Sequence, residues 1–354
     1  MKHYTKKILL FSVSLFFLVS CDIKEKGIET NNSGITVESK YGTHVISNYE
    51  IPFTAKDRSG NDITDNVTFY VDETAQTNNQ ISFSATGIHN VKAKITIDGE
   101  LLESNELSVA VTNPRHSTKI LVEDFTGTWC VNCPRVAFHL EEAVQQNNKI
   151  IPMAVHNRGF ETDPFHFSDF GVFRTNYGIN SFPTALCNRN FNWNDNSGTA
   201  QLSAELAKSQ ALGLSVNSSV NGNNINIEVK TRFDLDLKDL DLFLVVCITE
   251  NGLIADQANA TSFYGGQNPI PNFVHNHTLR VALTGVNGTP IPHDQTDISH
   301  EFVYNFSGAI PSEIADINNC EIVAFVGEDA ETSPAKIKVI NIQKANVGVF
   351  QDFD

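Results

Sequence analysis

The sequence predicts a multidomain α/β plus β chain, with a small α/β unit between two all-β units. Three observations carry this expectation. Short alternating apolar runs with regular turn signals fill residues 36–112. Strand and helix patterns then alternate to about residue 212, and from Gly213 the helical signal disappears. The expected folded units are therefore 36–113, 114–212 and 213–354, preceded by a leader over 1–20 and a flexible linker over 21–35. A length of 354 residues suits two or three domains of roughly 100–200 residues each. An apolar share of 41% can fill sizeable cores, and a charged share of 19% argues against a disordered acidic tail or a coiled coil.

The leader comes first. Residues 1–7 are basic, and Ile8 to Val19 form an uncharged apolar run. Twelve residues rise about 18 Å as a helix, against the roughly 20 residues that a bilayer core requires. The run reads as a secretory signal peptide. It ends in Leu18-Val19-Ser20-Cys21, which resembles a bacterial lipobox. That resemblance implies acylation of the Cys21 sulfur with diacylglycerol (palmitate-type chains), and cleavage that leaves Cys21 as the new N-terminus. The expected product is a soluble body tethered by lipid outside the cytoplasm, with Asp22 to Ser33 as a polar stalk. Loss of residues 1–20 removes Lys2, Lys6 and Lys7 and no acid. The formal charge then falls from -16 to -19, from 22 basic against 41 acidic residues. Such a surface repels phosphate backbones, which excludes nucleic acid as a partner.

In the first folded unit, strands are expected at Val67–Val71, Ile81–Ser84, Val91–Ile97 and Leu107–Val111, separated by turns at 59–62, Asn78-Asn79 and Asp98-Gly99. Residues 85–93 (ATGIHNVKA) resemble a bacterial immunoglobulin-like module. The resemblance implies an immunoglobulin-like β-sandwich acting as a spacer or docking unit.

In the second unit, Lys119 to Phe125 reads as a strand, Cys130 to Gln146 as a helix, Ile150 to His156 and Ala185 to Cys187 as strands, and Thr199 to Leu212 as a helix. Between the first strand and helix lies Trp129-Cys130-Val131-Asn132-Cys133-Pro134. A zinc site would need a second Cys or His pair, and none follows at suitable spacing; no metal and no cofactor are expected. A redox role needs only this pair. Two sulfurs three residues apart on the opening turn of a helix can bond, and amides at the helix N-terminus can lower a thiol pKa to about 3.5–7.5.

Residues 125–134 (FTGTWCVNCP) resemble a thioredoxin-fold active site. Asp124 matches the family's buried acid six residues before the first cysteine, and residues 177–184 (YGINSFPT) match its cis-proline segment. The resemblance covers residues 118–212 and implies a thioredoxin-like α/β domain. It assigns Cys130 as the attacking thiol, Cys133 as the resolving thiol, Asp124 as manager of the Cys133 proton and Trp129 as a cover. Pro183, without an amide hydrogen, would leave neighbouring backbone free to pair with a substrate. The direction of exchange stays open, because Val131-Asn132 matches neither of the best-known signatures. Asn157 to Asn176, with Phe160, Asp163, Phe165, His166 and Phe170, reads either as a substrate-facing rim or as a covering loop. His156 stands at a strand end from which it could reach the site.

The third unit is expected to be a C-terminal all-β sandwich, with strands at 225–232, 240–249, 278–283, 299–306, 322–326 and 337–342. Residues 234–242 (DLDLKDLDL) read as a solvated strand face rather than a calcium site. Cys187, Cys247 and Cys320 are expected to be buried as small apolar residues, with a Cys247–Cys320 bridge as the alternative. His275 and His277 share one side of an extended segment without a third ligand nearby, which favours a structural role.

The lipobox, the block at 119–130 (KILVEDFTGTWC) and the late segment at 275–280 (HNHTLR) together resemble the outer-membrane-protein-28-related lipoproteins. This implies outer-membrane association on the periplasmic or cell-surface face. Two functions follow as expectations. One is a lipid-anchored thiol–disulfide oxidoreductase whose partners are protein thiols and disulfides. The other is a binding or adhesin-like surface lipoprotein that uses the same fold as a scaffold.

Overall fold

The structure is a computed structural model and describes residues 34–159, 163–330 and 336–354. The leader, most of the linker, Cys21 and Phe160 lie outside the described residues.

The first part carries β1 (Thr36–Ser39), β2 (His44–Ile46), β3 (Glu50–Lys56), β4 (Thr68–Val71), β5 (Thr74–Ala75), β6 (Gln80–Ser82), β7 (Gly87–Ile97), β8 (Glu100–Glu103) and β9 (Leu107–Thr112). They form two sheets with orders β1-β3-β6 and β2-β9-β7-β4-β5, with β8 paired to β7. Alternation decides which face is buried: in β3, Ile51, Phe53 and Ala55 point inward. Phe53 meets Phe69 and Phe83 with ring centroids 6.4 and 6.3 Å apart. Asp98 and Gly99, both at positive φ, close the two-residue β7–β8 hairpin. These are β-sandwich elements.

The middle part carries β10 (Ile120–Thr126), α1 (Cys133–Gln146), β11 (Ile150–His156), α2 (Phe170–Tyr177), β12 (Thr184–Cys187), β13 (Phe191–Asn192) and α3 (Ala200–Leu206). The last part carries β14 (Leu212–Asn221), β15 (Asn224–Phe233), β16 (Leu242–Glu250), β17 (Leu253–Gln257), β18 (Ile270–His275), β19 (Thr278–Ala282), β20 (Thr289–Pro290), β21 (Glu301–Ala309), β22 (Cys320–Asp329) and β23 (Ile337–Asn346).

The two parts share one nine-stranded sheet, ordered β13-β12-β10-β11-β19-β16-β22-β23, with β20 on β16. All seven residues of β10 are buried, as expected of a central strand covered on both faces. β10 pairs parallel with β11 and antiparallel with β12. β11 then pairs with β19 through Ala154 and Thr278, and the sheet continues into the C-terminal strands. β14, β15 and β21 form a separate three-stranded sheet.

This corrects the expected fold class. A self-contained thioredoxin-like α/β domain between two separate β units is not what the chain builds. The structure is mostly β, and its described residues contain three α-helices of 14, 8 and 7 residues. The physical reason is the free edge of β11. Left open, it would expose unpaired amides and carbonyls, and β19 from the last third of the chain pairs with it at Ala154–Thr278 instead. The cores merge for the same reason: Leu121, Phe125 and Met153 share an apolar cluster with Val245, Phe325 and Val339. An ion pair ties them further. Arg189 donates to both oxygens of Glu123, from Nε at 3.1 Å to each and from Nη2 at 2.8 Å to one. Both side chains are almost wholly buried, and the guanidinium stacks over Phe173, Tyr177 and Phe325. Its remaining arm donates to the carbonyl of Val286 at 2.7 Å.

Candidate functional site

The turn after β10 delivers the cysteine pair. The Cys130 amide donates to the carbonyl of Gly127 at 2.9 Å, and the Cys133 amide donates to that of Cys130 at 3.2 Å. Cys133 and Pro134 open α1, where a proline costs nothing because the first helical amides have no partner within the helix. Helix amphipathicity then fixes the orientation, with Cys133, Val136, Leu140 and Ala143 on the buried face. The sulfurs of Cys130 and Cys133 are bonded, with Cα atoms 5.4 Å apart. Cys130 is 5% exposed and Cys133 1%.

Trp129 lies beside the pair. Its indole Nε1 donates to the carbonyl of Asn157 at 2.9 Å, and the ring meets Phe182 edge-on at 5.4 Å. Gly127 and Gly159 leave it room: a Cβ at either would fall 2.5 or 2.3 Å from the indole. The Phe182–Pro183 peptide is cis. Pro183 immediately precedes Thr184, the partner of Phe125, so it stands at the sheet end that carries the cysteine loop.

Asp124 lies one residue back on β10. It is 3% exposed, and its Oδ1 has no hydrogen-bond partner. Burial, with a smaller push from the Asp195 carboxylate and partial opposition from Arg135, lifts its carboxyl to about 8. Arg135 is itself engaged by Asp195, which His139 also contacts at 2.8 Å. Asp124 and Cys133 line the same cavity, of about 610 Å³, between α1, β11 and the β17–β18 hairpin. The structure thus brings Cys130, Cys133, Trp129, Pro183 and Asp124 to one end of the sheet.

Asp163 holds the cysteine loop from the other side. Its carboxylate accepts from the Thr128 amide at 2.6 Å, the Phe165 amide at 2.8 Å and the His156 ring at 3.0 Å. Burial alone would raise its pKa, but these bonds outweigh burial and hold it below the usual carboxylate range. His156 is thereby committed to Asp163, and packs against His275 at 5.2 Å. Phe165 and Phe170 are buried, so among the described residues this segment covers the core. His275 and His277 part company: the first lies buried among rings, the second bonds Glu321 at 3.1 Å. Cys187, Cys247 and Cys320 are buried free thiols, each pushed by burial to about 12. Among the described residues there is no group of three or more His, Cys, Asp or Glu suited to a metal.

One part of the site was invisible in the sequence. The segment after β17 lies against the cysteine loop, where the Ala258 amide donates to the Thr128 carbonyl at 2.8 Å and the Ala260 amide to that of Val131 at 2.7 Å. The buried side-chain amide of Gln257 reaches the carbonyls of Cys130 and Gly127 at 3.1 and 3.3 Å. Phe263 and Tyr264 then pack on Phe138 of α1 at 5.0 and 5.7 Å. No motif marks these residues, which meet the loop about 130 positions from their own place in the chain.

A family model described as "Outer membrane protein Omp28" matches residues 171–351, just over half of the chain. The chain belongs to the Omp28 outer-membrane protein family. It is therefore an outer-membrane protein. The matched region contains Pro183, Arg189, Gln257 and Tyr264 and begins after the cysteine pair. Among solved structures, HBP35 of Porphyromonas gingivalis is similar in fold, with a TM-score of 0.53 and 15% identity, over 66% of this chain and 77% of that one. No curated protein matches. No helix among the described residues is long and apolar enough to cross a membrane.

Proposed function

We propose that this Omp28-family protein exchanges disulfides with partner proteins through Cys130 and Cys133. One observation carries the reading: a buried carboxyl, that of Asp124, shares a cavity wall with the inner sulfur and holds its proton near neutral pH. A substrate thiolate attacks Cys130 Sγ and breaks the Cys130–Cys133 bond. The leaving Cys133 sulfur takes the proton of Asp124, and the substrate is held as a mixed disulfide on Cys130. A second substrate thiolate attacks that bond, which oxidises the substrate pair to a disulfide and leaves Cys130 as thiolate. Two electrons pass to the protein, and the reverse sequence reduces a substrate disulfide. Pro183, with no amide hydrogen, leaves the carbonyls and amides around it to pair with an extended substrate segment.

Insulin reduction with dithiothreitol as electron source tests this. Native protein is expected to exceed Cys130→Ser by at least tenfold, and equal rates end the exchange reading. Cys133→Ser is expected to accumulate mixed disulfides on Cys130 in cells.

A binding role at the outer membrane is the second reading. It is favoured by the same 610 Å³ cavity, which exceeds what proton transfer alone requires. We also infer a lipid anchor on Cys21: labelled palmitate is expected in the native chain and absent from Cys21→Ser.

A further inference from the structure

The cavity behind the disulfide has a composition that selects ligands by charge. Its walls include Leu140 and Val144 of α1, the rings of Tyr264 and Phe273, and the carboxyl groups of Asp124 and Glu141. Among the described residues no lysine or arginine lines it. Asp124 Oδ1 and His275 Nε2 are buried polar atoms of this wall without a hydrogen-bond partner. A buried polar atom left without a partner is costly unless something bonds to it. Tyr264 stands edge-on to Phe273 at 5.0 Å, and both carboxyl groups lie near enough to raise its phenol above the ordinary value, after burial as the larger cause. His156 is bonded to Asp163 and His277 to Glu321, while burial and then His156 push His275 down to about 3, which keeps it neutral.

We propose that this cavity binds an apolar organic cation, an ammonium group on a hydrocarbon or aromatic body, with the ammonium between Asp124 and Glu141. The volume falls within the usual range of about 300–1,000 Å³ for small-molecule sites. The aromatic walls supply a cation–π surface, and Glu141, joined by Asp124 as it ionises, repels anions of the same shape. The site does not depend on disulfide exchange, because it is complete in the oxidised protein.

The test uses oxidised protein and three probes of one shape: 4-phenylbutylammonium, 4-phenylbutanol and 4-phenylbutanoate, measured by calorimetry. The ammonium is expected to bind at least tenfold more tightly than the alcohol, and the carboxylate not at all. Between pH 6.5 and 9 Asp124 passes from mostly protonated towards ionised, so ammonium affinity should rise at least severalfold. Asp195 and Arg135 act on Asp124 directly, and Glu141, His156, Tyr264, His275 and His277 are the other titratable groups lining the cavity. Asp124→Asn should remove the pH dependence, and Glu141→Gln should weaken binding at every pH. Ala137→Trp keeps every charge, fills the cavity and should abolish binding. Equal affinity for the alcohol, or an unchanged pH profile in Asp124→Asn, overturns the proposal. Failure of the insulin assay would leave it standing, since no thiol takes part.

Discussion

Replacing Asp124 by Asn should flatten the pH dependence of stability, and the size of the effect follows from its surroundings. The carboxyl titrates near 3.8 when solvated and at about 8 in the fold. Between those values the folded chain holds a proton that the unfolded chain has lost. Its contribution to stability is therefore fully present below about pH 4, and is lost as pH rises through about 8. A difference of about four pH units corresponds to ~5 kcal/mol, accumulating at up to ~1.4 kcal/mol per unit. The amide of the Asp124→Asn variant has no such proton to lose. The native protein should lose stability from pH 4 to 8 relative to Asp124→Asn, and the gap should stop changing above pH 9. Urea denaturation of both oxidised proteins at five pH values measures this. The two tryptophans, Trp129 and Trp193, report locally, since one directly precedes Cys130 and the other packs beside β10. Parallel profiles for the two proteins would refute the assignment of Asp124 as a buried, proton-holding acid.

Two further substitutions test the scaffold. Arg189→Met strands the Glu123 carboxylate in the core and should cost about 3–5 kcal/mol in urea denaturation, most of it recovered when Glu123→Leu is added. Gln257→Leu removes the donor facing the Gly127 and Cys130 carbonyls, costing about 1–3 kcal/mol, and amide exchange should accelerate at residues 127–131 before it does elsewhere.

What was legible in the sequence is what local pattern controls. β10 and α1 were readable because an apolar run buried on both faces is followed by Pro134 at the first helical turn. The β7–β8 hairpin was readable from Asp98-Gly99, whose positive φ the turn requires. Where two local preferences compete, the pattern misleads. Thr199 to Leu212 reads as a helix throughout, yet α3 stops at Leu206 and Leu212 opens β14. Ten consecutive cross-strand pairs with β15 and the burial of Leu214 and Val216 outweigh helix propensity there. The short helix α2 was hidden inside an aromatic segment, although Gly178 in the left-handed region marks its end.

The larger misreading was one of completeness. Residues 118–212 contain a strand, a cysteine loop, a helix and a proline segment in an order that suggests a finished domain. Completeness is a property of edges and buried charges, however, and neither has a local signature. β11 ends its own segment with an edge that β19 meets, 124 residues away at the Ala154–Thr278 pair. Glu123 is buried with Arg189, whose guanidinium is in turn held by Val286 and Phe325 from the last third of the chain. The cysteine loop repeats the arrangement, because Gln257 and the amides of Ala258 and Ala260 occupy its carbonyls. These three links make the candidate site a joint product of both halves. A fragment ending near residue 212 would therefore keep the Cys130–Cys133 sequence but lose the cavity, the Gln257 clamp and the partner of its open edge.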